Sequence, residues 1–212
     1  MPKLLEISKP FIVLVEGKDD AEMLYSLTHS MGMPKDEFQV LQYGGKQKFP
    51  SFLKQITNFP EFEMVTKLAI FRDADENSQS AFQSIEHHLK SSDLIPQDSV
   101  PTHSGEVKKS DSGFAVGIYI TPDCSNKGAL ETLLLDSLTS EMKSEIETYV
   151  TQAEKSLSTD RARDKYKNST KSRTYAYSAL FENASFHDTF NKRLWDWSHP
   201  TFNQLKTFLQ AF

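Results

Sequence analysis

Two stretches of the chain are continuous apolar runs that end abruptly in acidic residues. The first run, at residues 11–15, is followed by Glu16, and the second, at residues 68–71, is followed by Asp73 and Asp75. A run without polar alternation is typical of a strand that is buried on both faces, as in a parallel sheet. Ligands of such open sheets bind at the carboxyl ends of the strands, so the three carboxylates are expected at the edge where an active site lies.

The first two thirds of the chain alternate between strand and helix patterns. Strands are predicted at residues 11–15, 38–43, 65–71 and 114–120, and helices at residues 18–31, 49–56 and 78–90. This alternation is typical of a parallel sheet with helices on both faces. We therefore predict an α/β fold with four main parallel strands, and a short antiparallel addition near residues 100–107 is an option.

The last third of the chain is helical in character. Helices are predicted from Lys127 with a leucine stripe, at residues 141–156, and in a closing aromatic segment between residues 194 and 212. The spacing of the closing aromatic residues predicts that they pack on the sheet. We therefore divide the chain into an α/β domain, residues 1–138, and a helical C-terminal extension, residues 139–212, that packs on the same core.

The composition excludes several classes of protein. The formal net charge of −5 is not that of a globally basic nucleic-acid binder. The single cysteine, Cys124, cannot form an intramolecular disulfide, which indicates a reducing compartment. No stretch approaches the roughly 18 apolar residues of a membrane helix, and the chain start has no apolar signal segment. We therefore expect a cytoplasmic protein without a membrane partner.

The three strand-end carboxylates have a chemical and a structural interpretation. Glu16, Asp73 and Asp75 at one edge would repel one another unless a hard cation lay between them, and oxygen ligands suit Mg²⁺. The alternative is that these polar residues end strands and cap the following helices. Taken together, the three acids favour metal binding and phosphodiester hydrolysis, in which a metal ion and a carboxylate activate water.

Three motifs taken in order resemble the Toprim domain. They are Val15-Glu16-Gly17 with Asp20, then Tyr43-Gly44-Gly45-Lys46, and then Asp73-Ala74-Asp75 after an apolar strand. The Toprim domain is shared by topoisomerases, bacterial primases, a ribosomal-RNA maturase and the overcoming-lysogenization-defect nucleases. The glycine–lysine step and Asp20 are more similar to the nuclease branch. This resemblance covers residues 11–138 and implies a Toprim-like parallel sheet.

Later segments resemble a small stand-alone Toprim-like family of bacteria and archaea without an assigned function. These segments are residues 116–118 with Pro122-Asp123, residues 127–131, and Trp195-Asp196 with residues 202–212. With them, the resemblance extends over nearly the whole chain.

What the Toprim resemblance implies is a divalent-metal site for Mg²⁺ or Mn²⁺. By position, Glu16 would act in general acid/base chemistry or bind the metal, and Asp73 and Asp75 would hold it. Asp20 matches a secondary acid of the nuclease branch, with a helix-dipole role as the alternative. Glu131 matches an acid that this branch supplies from a later helix, and whether it faces the other acids is open.

The chain departs from the nuclease branch at the basic residue that often follows the aspartates. Glu76 and Asn77 stand here instead. Lys46 or Lys127 are the candidates to act on the charge of the transition state. The Gly44-Gly45 step would let the backbone approach a phosphate, with an ordinary turn as the alternative.

A basic run between Lys155 and Arg173 holds seven basic residues against two acids. We weigh a surface that tracks the phosphates of nucleic acid against a solvated helix face. Tyr166, Tyr175 and Tyr177 interleave with the run and are candidates to stack on bases. The candidate residues for nucleic-acid binding are therefore Gly44, Gly45, Lys46, Lys127, Arg161, Arg163 and Lys165.

The leading hypothesis is a Mg²⁺-dependent, nuclease-like protein that hydrolyses phosphodiesters of DNA or RNA, with Glu16, Asp20 and Lys46 as catalytic residues. The alternative is a metal-binding effector or binding module that catalyses nothing alone and acts with a protein partner such as an ATPase. A third hypothesis is phosphoryl or nucleotidyl transfer on a small nucleotide. The choice of DNA or RNA, the number of metal ions and the oligomeric state stay open.

Overall fold

The computed structural model describes residues 5–34, 36–156, 170–182 and 185–212. The chain divides into two units by its internal contacts. The first comprises Met1–Ala129 with Asn203–Phe212, and the second comprises Leu130–Phe202. The second unit begins at Leu130, whereas the sequence placed the division after Leu138, and the last helix belongs to the first unit.

The first unit is built on a five-stranded sheet. Its strands are β1 (Phe11–Val15), β2 (Gln39–Gln42), β3 (Lys67–Asp73), β4 (Val107–Lys109) and β5 (Ala115–Thr121). Their order is β2-β1-β3-β5-β4, with β4 antiparallel to β5 and every other neighbouring pair parallel. The predicted α/β fold with four main parallel strands is confirmed, and the antiparallel strand begins at Val107, the last residue of the range considered for it.

Eight α-helices lie within the described ranges. They are α1 (Lys18–Ser30), α2 (Phe49–Thr57), α3 (Ser78–Lys90), α4 (Leu130–Asp136), α5 (Ser140–Ser156), α6 (Thr170–Ser178), α7 (Phe186–Asn191) and α8 (Asn203–Gln210). Short 3₁₀ turns occur at Pro60–Met64, Gln97–Ser99 and Pro200–Phe202. None of these helices is long and apolar enough to cross a membrane.

One face of the sheet is covered by α2 and α3. The residues that form this core lie at alternate positions of the strands and on the facing stripes of the two helices. They include Ile12, Leu14, Leu68, Ile70, Val116 and Ile118 from the strands, Phe49, Leu53 and Ile56 from α2, and Phe82, Ile85 and Leu89 from α3. Since the other face is covered as well, the strands need apolar residues at every position, which explains the continuous runs.

The other face of the sheet packs against α8 and the chain end. Phe208 of α8 lies 5.5 Å from the ring of Phe71 and 5.3 Å from that of Tyr119, measured between ring centroids. Phe212 stacks on Phe11 at 4.8 Å. The rings come this close because Gly117 of β5 has no side chain between them and the sheet.

Two helix predictions for the last third of the chain were wrong in their bounds. The helix expected from Lys127 begins at Leu130, because Gly128 pairs with Asp75 in an isolated bridge and has a positive φ of 137°. The expected closing helix does not include residues 194–197. There, Trp195 is buried in the second unit and its Nε1 donates a hydrogen bond to Thr189.

The substitution Gly117→Ala should destabilise the first unit. A Cβ at this position would lie 2.7 Å from Phe212 and 2.8 Å from Phe208. We expect a loss of about 1–3 kcal/mol in the free energy of unfolding, because overpacking forces the rings and backbone to shift. Chemical denaturation of the purified variant measures this loss.

The double variant Gly117→Ala/Phe208→Leu tests the cause. A smaller side chain on α8 relieves part of the clash, so the double variant should lose less stability than the sum of the two single variants. Losses that add within about 0.5 kcal/mol would contradict the proposed contact.

Candidate functional site

The carboxyl ends of β1 and β3 bring the predicted acids to one edge of the sheet. The two strands are parallel neighbours, with Leu14 paired to Ile70. Glu16 directly follows β1 and Asp73 ends β3, and both side chains are half-buried, whereas Asp75 is exposed. The structure therefore places Glu16, Asp73 and Asp75 at the edge that the sequence indicated.

Asp20 helps to shape the turn that follows Glu16. The N–H of Gly17, the residue before α1, donates to Oδ2 of Asp20 at 2.8 Å. A carboxylate in the first turn of a helix also complements the helix dipole. The structure thus gives Asp20 a positioning contact at the start of α1, and its catalytic role stays a prediction.

The two glycines after β2 form a turn that needs their conformational freedom. Gly44 has a φ of 75° and Gly45 a φ of 107°. The N–H of Gly44 donates to the carbonyl of Glu16 at 3.0 Å, so this hydrogen bond joins the turn to the residue that follows β1. The turn places the side chain of Lys46 beside Asp75, with 2.7 Å between Nζ and Oδ2.

Lys46 and Asp75 form an exposed ion pair. Their side chains are 56% and 54% exposed. The hydrogen bond from Lys46 to Asp75, together with the charge of that carboxylate, raises the pKa of the Lys46 ammonium group. A surface pair of this kind is weak, so a ligand that binds Asp75 more strongly can displace Lys46.

The backbone of Asp75 is held by a two-way bridge to the loop before α4. Its N–H donates to the carbonyl of Gly128 at 2.9 Å, and the N–H of Gly128 donates back at 2.8 Å. Asp75 has a positive φ of 50°, which aspartate tolerates better than most residues. Nζ of Lys127, the residue before Gly128 in that loop, lies 3.8 Å from Oε2 of Glu76, and both side chains are largely exposed.

The pKa of the Tyr43 hydroxyl reflects the charges at this edge of the sheet. Burial raises the pKa of its hydroxyl, and the negative charges of Glu16, Asp20 and Asp73 raise it further, whereas Arg72 lowers it. The neutral hydroxyl donates to the carbonyl of Phe71 at 2.8 Å. Three of the predicted site carboxylates therefore share the electrostatic environment of one buried tyrosine at the end of β2.

The donor atoms at this edge suit a magnesium ion in type. The carboxylates of Glu16, Asp73 and Asp75 supply oxygen ligands only, which Mg²⁺ prefers. In residues 5–34, 36–156, 170–182 and 185–212, however, no three histidine, cysteine, aspartate or glutamate side chains already lie close enough to hold a metal ion. The predicted Mg²⁺ or Mn²⁺ site therefore stays a prediction.

Glu131 belongs to the second unit. It lies on α4, its side chain is 8% exposed, and Oε1 is 3.7 Å from Nζ of Lys171 on α6. A buried carboxylate needs a cationic or hydrogen-bonding partner, and Lys171 supplies one within the unit. Its predicted role as a metal ligand stays a prediction.

Most of the basic run lies outside the described residues. This applies to Arg161, Arg163 and Lys165, as well as to Tyr166 and Lys167. Of the described members, Arg173 donates to Glu147 on α5 at 2.7 Å, and Lys171 faces Glu131. These two contacts are local ion pairs of the second unit.

Arg72 at the end of β3 is a residue of this edge that sequence reasoning missed. It is buried, donates from Nη1 to Ser84 of α3 at 3.1 Å and from Nη2 to the carbonyl of Lys46 at 3.0 Å. The signal in the sequence was a charged residue between the apolar Phe71 and the acidic Asp73.

Asp123, after β5, shows turn chemistry. Its Oδ1 accepts hydrogen bonds from the backbone N–H groups of Ser125 at 3.0 Å and Asn126 at 2.8 Å. Its Oδ2 accepts one from the Asn126 side chain at 2.7 Å. Burial acts to raise the pKa of the Asp123 carboxyl, but these donors outweigh it and lower the pKa below its usual value.

The chain matches, over residues 10–212, the family described as "Protein of unknown function (DUF3226)". The chain belongs to the DUF3226 family. No curated protein matches it. Among solved structures, hypothetical protein PH0156 from Pyrococcus horikoshii OT3 is similar at a TM-score of 0.54 and 16% identity, over 96% of this chain and 95% of that one. This similarity shows a shared fold.

A weaker similarity exists to the C-terminal region of the OLD protein of Xanthomonas campestris pv. campestris. The TM-score is 0.41 at 12% identity, over 98% of this chain and 88% of that one. A second structure of the same region gives 0.41 at 14% identity, over 89% and 81% of the two chains.

In this DUF3226 protein, Asp123→Ala should lower the free energy of unfolding by about 1 kcal/mol at pH 7, because it leaves two backbone N–H groups without their acceptor. A depressed pKa means that the contribution of Asp123 is present above its ordinary value of 3.8 and is lost as the pH falls through the folded value. The difference between wild type and variant should therefore shrink below about pH 4 in denaturation experiments.

The exposed Asp36 provides the control. Asp36→Ala should change stability by less than about 0.5 kcal/mol at either pH. A difference between wild type and Asp123→Ala that is the same at pH 3 and pH 7 would show that the hydrogen bonds do not depend on the charged carboxylate.

Proposed function

We propose that this protein is a metal-dependent phosphodiesterase of the nuclease type, which acts on DNA or RNA with Mg²⁺ or Mn²⁺ held by Glu16, Asp73 and Asp75. The observation that carries the proposal is the position of these three acids at the carboxyl ends of two adjacent parallel strands, and so at one edge of the sheet. Capping of helices alone does not account for it, since the residue that caps α3 with its side chain is Asn77.

The three Toprim-like motifs support the proposal by their placement. The Glu16 motif follows β1, the Gly44-Gly45-Lys46 turn follows β2, and the Asp73–Asp75 motif follows β3. These strands are neighbours in one parallel sheet, so the three motifs share one edge. A Toprim-type site of the nuclease branch would have this arrangement.

The residues of the edge have separate tasks in hydrolysis. A bound Mg²⁺ would polarise a phosphoryl oxygen and lower the pKa of the attacking water. Glu16, half-buried at the end of β1, would orient that water and accept its proton. Lys46 would leave Asp75 and place its ammonium group against the charge that develops on the phosphate. Asp20 would keep Glu16 in position through its hydrogen bond to Gly17.

Metal-dependent cleavage should be lost in Glu16→Gln and in Asp73→Asn. The purified protein is incubated with supercoiled plasmid, single-stranded DNA and RNA, in Mg²⁺, Mn²⁺ or EDTA. We expect cleavage with metal only, and a loss of about 100-fold or more in either variant, because each removes a charge that acts on the transition state.

Two exposed acids at the amino ends of the strands provide matched controls. Glu61→Gln, before β3, and Asp36→Asn, before β2, make the same chemical changes and should cleave like the wild type. Full activity in folded Glu16→Gln and Asp73→Asn would refute the assignment. No cleavage by the wild type, with a Mg²⁺-induced rise in melting temperature that Asp73→Asn lacks, would instead support a metal-binding module that needs a partner.

Lys46→Met should have opposite effects on metal binding and on cleavage. Removal of the ammonium group frees Asp75, so the apparent affinity for Mg²⁺ should rise about 2- to 5-fold, while cleavage falls because no cation acts on the phosphate. A titration of melting temperature against Mg²⁺ concentration measures the first effect independently of activity.

The matched control is Lys90→Met. Lys90 forms an ion pair of 2.6 Å with Glu86 at the other end of α3, so this variant loses the same kind of contact away from the edge. Its Mg²⁺ affinity should equal that of the wild type. A Mg²⁺ affinity that is unchanged or lower in Lys46→Met would exclude competition between Lys46 and the metal for Asp75.

A further inference from the structure

A cleft of about 330 Å³ opens beside the carboxylates, on the side of the sheet that α2 and α3 cover. Its lining includes Asp73, Asp75 and Lys46. It also includes Arg72 of β3 and Ser80 and Ser84 of α3. The cleft thus contains cationic and hydroxyl side chains as well as two of the carboxylates.

Arg72 is the unusual residue of this cleft. It is only 6% exposed, and its guanidinium lies 5.5 Å from the centre of the Phe49 ring. Nη1 and Nη2 donate to Ser84 and to the carbonyl of Lys46, but the buried Nε has no hydrogen-bond partner. Both acceptors in use are neutral oxygen atoms.

The guanidinium is a buried charge that lacks a close carboxylate. The ion pairs within 4 Å in the described part of the chain do not include Arg72. Its electrostatic neighbours include the cation Lys46 and the imidazole of His88, whose pKa burial lowers, with further lowering by His87 and Arg72. Arginine does not lose its proton in proteins, so the guanidinium stays charged although it is buried. A bound anion would compensate this charge.

The donors around Arg72 suit a phosphate group. The planar fork of a guanidinium matches phosphate oxygens, and the hydroxyls of Ser80 and Ser84 and the ammonium of Lys46 supply further donors along the same cleft. A carboxylate ligand would use the fork alone and leave the other donors without a partner.

We propose that this cleft is a phosphate subsite anchored by Arg72, which holds a backbone phosphate of the nucleic-acid strand next to the carboxylates. That the phosphate belongs to a strand rests on the proposed function, whereas the binding of phosphate itself does not. The subsite lies within the first unit and gives a role to the buried cation that directly precedes Asp73, the acid at the end of β3.

The first test measures the binding of inorganic phosphate to the full chain in EDTA. Metal ions and hydrolysis then cannot affect the result. We expect phosphate to raise the melting temperature above that in chloride of equal ionic strength, and to broaden its own ³¹P resonance. Arg72→Met should abolish both effects, because methionine keeps most of the volume and removes the charge. The absence of both effects in the wild type would overturn the proposal.

The control is Lys109→Met, which removes a cation from the exposed edge strand β4 and should bind phosphate like the wild type. Phosphate binding that survives in Arg72→Met would place the anion elsewhere and overturn the proposal. If Arg72→Met does not fold, Ser84→Ala takes its place. This variant removes one of the hydroxyl donors of the proposed subsite and the oxygen that positions Nη1 of Arg72, so it should weaken binding, and unchanged phosphate affinity in it would likewise overturn the proposal.

A second arm separates a strand phosphate from free phosphate. A short single-stranded oligonucleotide is titrated in EDTA, and Arg72→Met should weaken its binding about 10-fold or more, as expected for charge-assisted hydrogen bonds to a phosphate. An oligonucleotide affinity that is equal in wild type and variant, beside a lost phosphate effect, would overturn the assignment to a strand and identify a site for free phosphate. Failure of the hydrolase proposal would appear in the cleavage assays and leave these results unaffected.

Discussion

The parallel pairing of β1 with β3 is the interaction on which the site depends. The five residues of β1 are all buried, and the register from Phe11–Lys67 to Leu14–Ile70 brings the carboxyl ends of both strands to the same edge of the sheet. Apolar contacts of α2 and α3 on one face and of α8 on the other hold this pair in place. Glu16 and Asp73 thus owe their position at one edge of the sheet to the core.

The fold could be predicted because a doubly covered sheet leaves a clear signal. Uninterrupted apolar runs and the alternation with helices were enough to identify the four parallel strands and α1, α2 and α3. The errors fell where a distant contact decides the local structure. Two backbone hydrogen bonds hold the loop around Gly128 to Asp75, which lies about fifty positions earlier in the chain. No local pattern in the sequence predicts this bridge.

The candidate site could be predicted only in part, for the same reason. The order of acids after strands indicated Glu16, Asp73 and Asp75, since a strand end is a local feature. The contacts that set their environment are long-range: Lys46 reaches Asp75, and Arg72 reaches Ser84 and the carbonyl of Lys46. Arginine is seldom buried, and no local feature of the sequence indicated that Arg72 would be, so its burial became visible only in the packing of α2 and α3 against the sheet.

Lys46 links the two kinds of charge at this edge. Its ammonium group contacts Asp75, while its backbone carbonyl accepts a hydrogen bond from Arg72, so one residue of the glycine turn touches both the acidic and the cationic side. Acids alone would attract cations and repel a polyanion, and cations alone would hold a phosphate without activating water. A phosphodiester that arrives with a divalent cation needs both sides at once. The positive φ values of Gly44 and Gly45 allow the turn to place Lys46 in contact with both sides, which is the arrangement that the proposed function requires.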